Sequence, residues 1–300
     1  MAKVDVSPTK VQRKKVPFRR NDLAQPFLKW AGGKRQLVSK LREHVPRKYE
    51  LYFEPFVGAG ALLFDLQPRE ALINDANKEL INCYQVIKED PEGLIAHARE
   101  HPHTKTHFYK LRSLDRKPDF SSLSPLERAS RIIFLNKTCY NGLFRVNSQG
   151  QFNVPFGNYR NPAIVDDVVI RAVSRYLNEA KINISNCDFD EALSGAGAGD
   201  FVYLDPPYDP LSDTSSFTGY NVINFDQEQQ RRLKAACDDL HSRGCMVLQS
   251  NSATEFIRGL YSDTSKYTLV EVDANRNINS VGSARGKISE LLIFNNYDVG

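Results

Sequence analysis

The run Phe201-Val202-Tyr203-Leu204-Asp205-Pro206-Pro207-Tyr208 limits the folds open to this chain more than any other stretch. Four apolar, β-branched or aromatic residues in a row read as a short buried strand. The two prolines end it, because neither has an N–H to give to a ladder. The first proline also biases Asp205 toward an extended backbone. In an open α/β sheet ligands collect outside the carboxyl ends of the strands, so Asp205 and Tyr208 are expected to face a crevice.

A carboxylate, a rigid turn and a phenol ring at one strand end suit one kind of chemistry, in which the exocyclic amino group of a nucleobase or an amide is made to attack an electrophile. That nitrogen is a poor nucleophile, since its lone pair is delocalised into the adjoining π system. If Asp205 accepts one amino hydrogen and the Pro206 carbonyl the other, the nitrogen pyramidalises and the lone pair is released. Tyr208 stacks on the flat group and fixes the line of attack. Orientation and placed acceptors then supply the acceleration, with no metal and no covalent intermediate. A Pro-Pro turn with a capping aspartate accounts for the same residues, and the tetrad alone leaves both readings open.

Composition narrows the class. The 300 residues carry a formal net charge of +4, enough chain for one large domain or two modest ones. No apolar run approaches the ~18 residues of a spanning helix, and no apolar segment follows the basic N-terminus as in a signal peptide, so the chain is expected in the cytoplasm, off the membrane. Cys83, Cys139, Cys187, Cys237 and Cys245 are scattered without Cys-x-x-Cys spacing, which argues against a disulfide framework or a zinc site. His101, His103 and His107 read as a solvated loop or helix start, with no carboxylate or cysteine at ligand spacing. Seven Lys/Arg against one Asp in the first twenty residues mark residues 1–25 as a basic disordered arm. It either lies on a phosphate backbone or merely solubilises the chain.

Taken in order, the first motif is Lys29-Trp30-Ala31-Gly32-Gly33-Lys34 ahead of a helical pattern. The Gly pair allows a tight turn and Lys34 supplies a cation. Arg35 stands where a phosphate loop needs a hydroxyl for magnesium, so nucleoside triphosphate binding is set aside. Tyr52 to Phe64 reads strand, glycine turn, helix, with Gly58 and Gly60 letting the backbone pass close to a ligand. A second strand, Ala71 to Asn74, ends in Asp75, placed as ribose-binding carboxylates are placed. The third glycine of the dinucleotide fingerprint is missing, which argues against NAD.

Helical periodicity runs from Lys78 to about Glu100 and from Pro125 to about Leu135. From Asn136 to Asn161, Asn, Gly, Arg and aromatic residues interleave, including Tyr140, Asn141, Leu143, Arg145, Asn153, Pro155 and Tyr159. Reading DNA needs this mixture, and a glycine-rich β-hairpin uses it too. Strands at Ile182 to Phe189 and Cys245 to Ser252, a helix from Gln227 to Leu240 and a final strand complete a doubly wound α/β sheet. Ser194 to Gly199 is expected to be a flexible connector, and Leu211, Thr214, Phe217, Tyr220 and Phe225 a lid over the crevice.

In these pieces the chain resembles the Dam-type family of DNA adenine methyltransferases. The matching residues are Lys29 to Lys34, Phe53-Glu54-Pro55-Phe56-Val57-Gly58-Ala59-Gly60, Asn74-Asp75, Tyr140-Asn141-Gly142-Leu143 with Arg145, Phe152-Asn153-Val154-Pro155, Asp205 to Tyr208 and Ser250-Asn251-Ser252, in the family's order. The resemblance implies a Rossmann-like methyltransferase sheet formed by residues 26–76 and 177–300. A mostly helical target-recognition region, 77–176, is inserted and carries a β-hairpin. It further implies methyl transfer from S-adenosylmethionine to adenine N6 in double-stranded DNA, within GATC, by base flipping and direct in-line transfer. Trp30, Lys34, Phe56, Gly58, Gly60, Asp75, Asp188, Phe189 and Asp205 are implied as cofactor contacts, and Asp205, Pro206, Pro207 and Tyr208 as the catalytic set. Tyr140, Asn141 and Leu143 are implied to open the duplex and Arg145 to read a guanine, with Asn153, Pro155 and Tyr159 nearby. A monomer or weak dimer on DNA, with or without a companion restriction endonuclease, is expected. The competing readings are a protein glutamine-amide methyltransferase, whose tetrad begins with Asn, and a DNA-binding relative without catalysis.

Overall fold

The computed structural model describes residues 19–30, 34–210, 225–275 and 287–298. The sheet consists of β1 (Tyr52–Glu54), β2 (Glu70–Asn74), β3 (Lys181–Ser185), β4 (Phe201–Leu204), β5 (Met246–Ser252), β6 (Tyr267–Asn275) and β7 (Lys287–Asn295). The strand order is β3-β2-β1-β4-β5-β7-β6. Strands β1 to β5 are parallel, and β7 is inserted antiparallel between β5 and β6.

Side-chain alternation splits each central strand between two cores. Tyr52, Phe201, Tyr203, Leu248 and Leu292 join a cluster with helices α1 (Val38–Arg42), α2 (Ala61–Leu66), α3 (Lys78–Glu89), α4 (Pro91–Arg99), α5 (Lys105–Arg112), α6 (Pro125–Thr138) and α7 (Asp167–Glu179). Phe53, Val202, Leu204, Val247 and Leu291 join another with α8 (Phe189–Leu193), α9 (Gln227–Ser242) and α10 (Glu255–Leu260). The sheet is therefore wound on both faces, as expected.

Three local expectations change. The helical stretch from Lys78 to Glu100 is two helices, because Pro91 has no N–H to continue the first and the Asp90 carboxylate caps the second through the Gly93 N–H at 2.9 Å. The histidines do lie just before and within the first turn of α5, as a helix start, but they are not all solvated: His101 lies 3.1 Å from His107 and 2.9 Å from the Ser130 hydroxyl, where α4 and α5 meet α6. Burial there pushes the His101 imidazole down to about 4. The Ser194 to Gly199 connector is tied down rather than flexible, since Arg243 donates to the Ala196 carbonyl at 2.6 Å and Gly197 N–H donates to Asp200 at 2.8 Å. Of the expected lid, Leu211, Thr214, Phe217 and Tyr220 lie outside the described residues, as do residues 1–18 of the basic arm.

Helix α6 starts on a capping box of Ser124 and Glu127 and is buried along most of its length, Arg131 included. The Arg131 guanidinium lies 2.8 Å from Asp115 and donates to the Leu111 carbonyl at 2.8 Å. Asp115 also accepts the Phe152 N–H at 2.8 Å, while Arg116 donates to the Phe152 carbonyl at 2.8 Å. This clamp fastens a hairpin whose antiparallel bridges join Val146 to Phe152 and Cys139 to Phe156. Asp115→Ala would strand a buried guanidinium, so it is expected to lower unfolding stability by about 3 to 5 kcal/mol. A denaturant midpoint shift equivalent to less than ~1 kcal/mol would show that the pair does not hold this region.

Candidate functional site

In this strand order the chain winds outward from β1 through β2 to β3 and then returns to place β4 on the other side of β1. The carboxyl ends of β1 and β4 therefore border the crevice that reversal opens. Each of the parallel strands β1 to β4 delivers an acid at or just beyond this end: Glu54, Asp75, Asp188 and Asp205.

Asp205 leaves β4 with its side chain one-fifth exposed, and the buried Lys34 ammonium lies 2.8 Å from its Oδ1. Burial pushes the Asp205 carboxyl up to about 6, against the pull of Lys34. The same ammonium sits 4.6 Å from the centre of the Tyr208 ring, and the Tyr208 phenol donates to Glu290 Oε2 at 2.7 Å. The loop backbone is fastened from β5 and α9. Gln230 Nε2 donates to the Pro207 carbonyl at 2.9 Å, Asn251 Nδ2 donates to Gln230 at 3.0 Å, and the Ser252 hydroxyl donates to the Asp209 carbonyl at 2.7 Å. Among the described residues no donor reaches the Pro206 carbonyl.

On the β1 side, Gly58 and Gly60 both adopt left-handed backbone conformations, φ 50° and 70°. A Cβ at Gly60 would come 2.7 Å from the Tyr84 hydroxyl, and one at Gly58 3.1 Å from Trp30, so the turn admits only glycine without rearrangement. The Gly58 N–H donates to Asp75 at 3.1 Å. Burial pushes the Asp75 carboxyl up to about 6, outweighing its backbone N–H partners. Beside the turn, Phe56 and Phe189 lie 5.5 Å apart with Phe225 edge-on to Phe56. Asp188 caps α8 and pairs with Arg232, whose guanidinium sits 4.5 Å over the Phe189 ring.

The expected recognition residues gather on a neighbouring surface. Tyr140 and Asn141 are exposed at a 3₁₀ turn following α6, and the Tyr140 N–H donates to the Pro155 carbonyl at 2.9 Å. Leu143 is half-buried. The exposed Arg145 donates through Nε to Asn153 Oδ1 at 2.8 Å, and Lys29 lies 5.1 Å over the Tyr159 ring. Two contacts join this surface to the crevice. Trp30 stacks on Phe144 at 4.7 Å, and Asn136, buried in α6, exchanges hydrogen bonds with the backbone of Lys29 while donating to the Gly142 carbonyl.

Several residues of this arrangement had no assigned role. Glu54 stands before a proline at a strand end just as Asp205 does, and that parallel was the available signal. Tyr84, Asn136, Gln230 and Glu290 carried none, because each reads as an ordinary helix or strand residue until the chain is folded. Glu54 is 2% exposed, and burial pushes its carboxyl up to about 8 despite the Tyr52 phenol donating at 2.8 Å. Folding thus raises the proton affinity of Glu54, Asp75 and Asp205 alike. Their contribution to stability is full below the ordinary carboxylate range and is lost as pH rises through about 6 and then about 8. In thermal melts of the unliganded protein, Glu54→Gln is expected to flatten the decline of Tm between about pH 6.5 and 8.5. An unchanged slope would refute the assignment.

The profile of the D12 class N6 adenine-specific DNA methyltransferase family matches residues 30–278. A type II methyltransferase of Lactococcus lactis subsp. cremoris is 46% identical over 275 residues, covering 90% of this chain and 95% of that protein. A type II methyltransferase of Methanocaldococcus jannaschii is 40% identical over 291 residues, covering 90% and 99%. The DNA adenine methylase of Escherichia coli K12 is 35% identical over 267 residues, covering 89% and 93%. On the extent of these matches, the chain belongs to the D12 class of N6 adenine-specific DNA methyltransferases.

Proposed function

We propose that this methyltransferase acts on the adenine of GATC in duplex DNA, with S-adenosylmethionine as donor and the target base flipped into the crevice. The single observation that supports this best is the convergence of Asp205, Lys34 and Tyr208 at the end of β4. The residues present fit the donor. A turn that only glycine can occupy gives close backbone access, Phe56 and Phe189 offer apolar ring faces for an adenine, and the acids Asp75 and Asp205 suit a ligand bearing a sulfonium and an ammonium. Trp30, Lys34, Phe56, Gly58, Gly60, Asp75, Asp188, Phe189 and Asp205 would hold it. When bound, S-adenosylmethionine supplies an electrophilic methyl group.

The chain's own contribution is to prepare the nucleophile. Asp205 Oδ accepts one N6 hydrogen and the Pro206 carbonyl the other. The neighbouring Pro207 carbonyl is already engaged by Gln230, which supports Pro206 as the available acceptor. Tyr208 supplies the ring on which the base stacks, and the low polarity that raises the Asp205 carboxyl strengthens every hydrogen bond made there. A stacked base cannot reach a group this recessed, so flipping is part of the proposal.

Recognition falls to Tyr140, Asn141 and Leu143, which enter the duplex, and to Arg145 with Asn153, Pro155 and Tyr159. The Arg145–Asn153 contact engages Nε and orients the fork of terminal nitrogens, the geometry that bidentate reading of guanine requires. The division of labour follows: residues 26–76 and 177–300 bind the donor and residues 77–176 read DNA. The type II designation of two relatives supports a companion restriction endonuclease. A monomer, or a weak dimer on DNA, suffices for this site.

Asp205 accepts most strongly when ionised, and its carboxyl sits at about 6, so the single-turnover rate is expected to fall as pH drops through that value. Asp205→Asn should lose most of the rate and that acid limb together; retention of full activity would refute the mechanism. Arg145→Ala is expected to cost about 1 to 3 kcal/mol in transition-state binding and to relax choice at the guanine. DNA from expressing cells, digested with methylation-sensitive and methylation-dependent GATC nucleases, tests the site itself: cutting by the sensitive nuclease alone rules out GATC.

A further inference from the structure

We propose that Glu290 is a positioning residue for methyl transfer, holding the plane of the Tyr208 ring by accepting its phenolic hydrogen. The inference rests on the reading of Tyr208 as the stacking ring. Prolines 206 and 207 stiffen the backbone ahead of Tyr208 but leave its two side-chain torsions free, so the loop alone does not fix the ring plane. A contact at the far tip does. The β5–β7 register pairs Glu290 with Ser252, beside the end of β4, and from there Glu290 Oε2 receives the Tyr208 phenol at 2.7 Å.

Two features suit a positioning role. Burial and the neighbouring Asp205 and Glu290 charges push the Tyr208 phenol well above its ordinary range, so it remains a donor at every working pH. Donation to a carboxylate also enriches the ring in electron density, which favours the Lys34 ammonium 4.6 Å from its centre. The ring is thus held at its tip by Glu290, with the Asp205 carboxylate also within reach of the phenol, and at its face by the Lys34 ammonium. A base stacked on it would inherit that orientation, and an error of about 1 Å at the reacting nitrogen is enough to lose much of the rate.

The test is single-turnover and steady-state methyl transfer by the full chain to a GATC duplex with labelled S-adenosylmethionine, alongside thermal unfolding. Glu290→Ala and Tyr208→Phe are each expected to lower kcat about tenfold with KM for both substrates within about twofold. The double variant should be no slower than either single, and Glu290→Gln, which keeps an acceptor oxygen, should recover most of the loss. Multiplication of the two single effects, or a Glu290→Ala effect confined to Tm or KM, would overturn the inference. Tyr208→Ala separates it from the reading beneath it. If that variant is slow while Glu290→Ala keeps the full rate, only the role of Glu290 falls; if Tyr208→Ala keeps the full rate, the stacking role of Tyr208 falls with it.

Discussion

The contact between Lys34 and Asp205 sets the terms for the rest of the site. A carboxylate at the end of a buried strand is poorly solvated, and burial alone would favour its neutral form, the weaker acceptor of the two. Lys34, itself buried, opposes that shift and keeps the ionised form within reach of neutral pH. Neither charge would be tolerated there without the other. The pairing also brings the N-terminal motif, distant in sequence, onto the end of β4 and lays the same ammonium across the Tyr208 ring. One ion pair therefore joins the two halves of the crevice and conditions the Asp205 carboxyl.

Around it, the acids are graded by their surroundings. Glu54, sealed between β1 and the Tyr52 phenol, holds its proton up to about 8, whereas Asp75 and Asp205 sit at about 6. A neutral Glu54 spares the crevice a third buried negative charge. Burial and the nearby Glu290 charge raise Asp205 while Lys34 opposes them, so the ionisation of Asp205 is set by that balance. Stability is given up at higher pH as these buried acids ionise.

The crevice and the exposed hairpin surface are mechanically continuous. Trp30 touches the glycine turn on one side and stacks on Phe144 on the other, and Asn136 binds the backbone on both sides of that stack. The hairpin is in turn fastened to α6 through Asp115 and Arg131. The hairpin that carries Arg145 is thus joined by packed side chains to the residues beside Gly58.

Much of this was legible in the linear chain. Short apolar runs punctuated by Asp-Pro-Pro, by a glycine turn and by strand-end acids specify a doubly wound sheet and the end of it where ligands gather, because strand ends and glycine turns are local properties of a few adjacent residues. The division of Lys78 to Glu100 at Pro91 was readable on the same ground. What no local pattern carries is the pairing of distant elements: Lys34 with Asp205, Glu290 with Tyr208, Asn136 with Lys29, Gln230 with Pro207. Nor could the sequence say that Glu54 stays protonated or that His101 is half-buried, since desolvation depends on what the rest of the chain lays over a group. Residue identity determined which chemistry was present; only the tertiary structure decided which groups meet and in what charge state, because proximity and dielectric are properties of the folded chain.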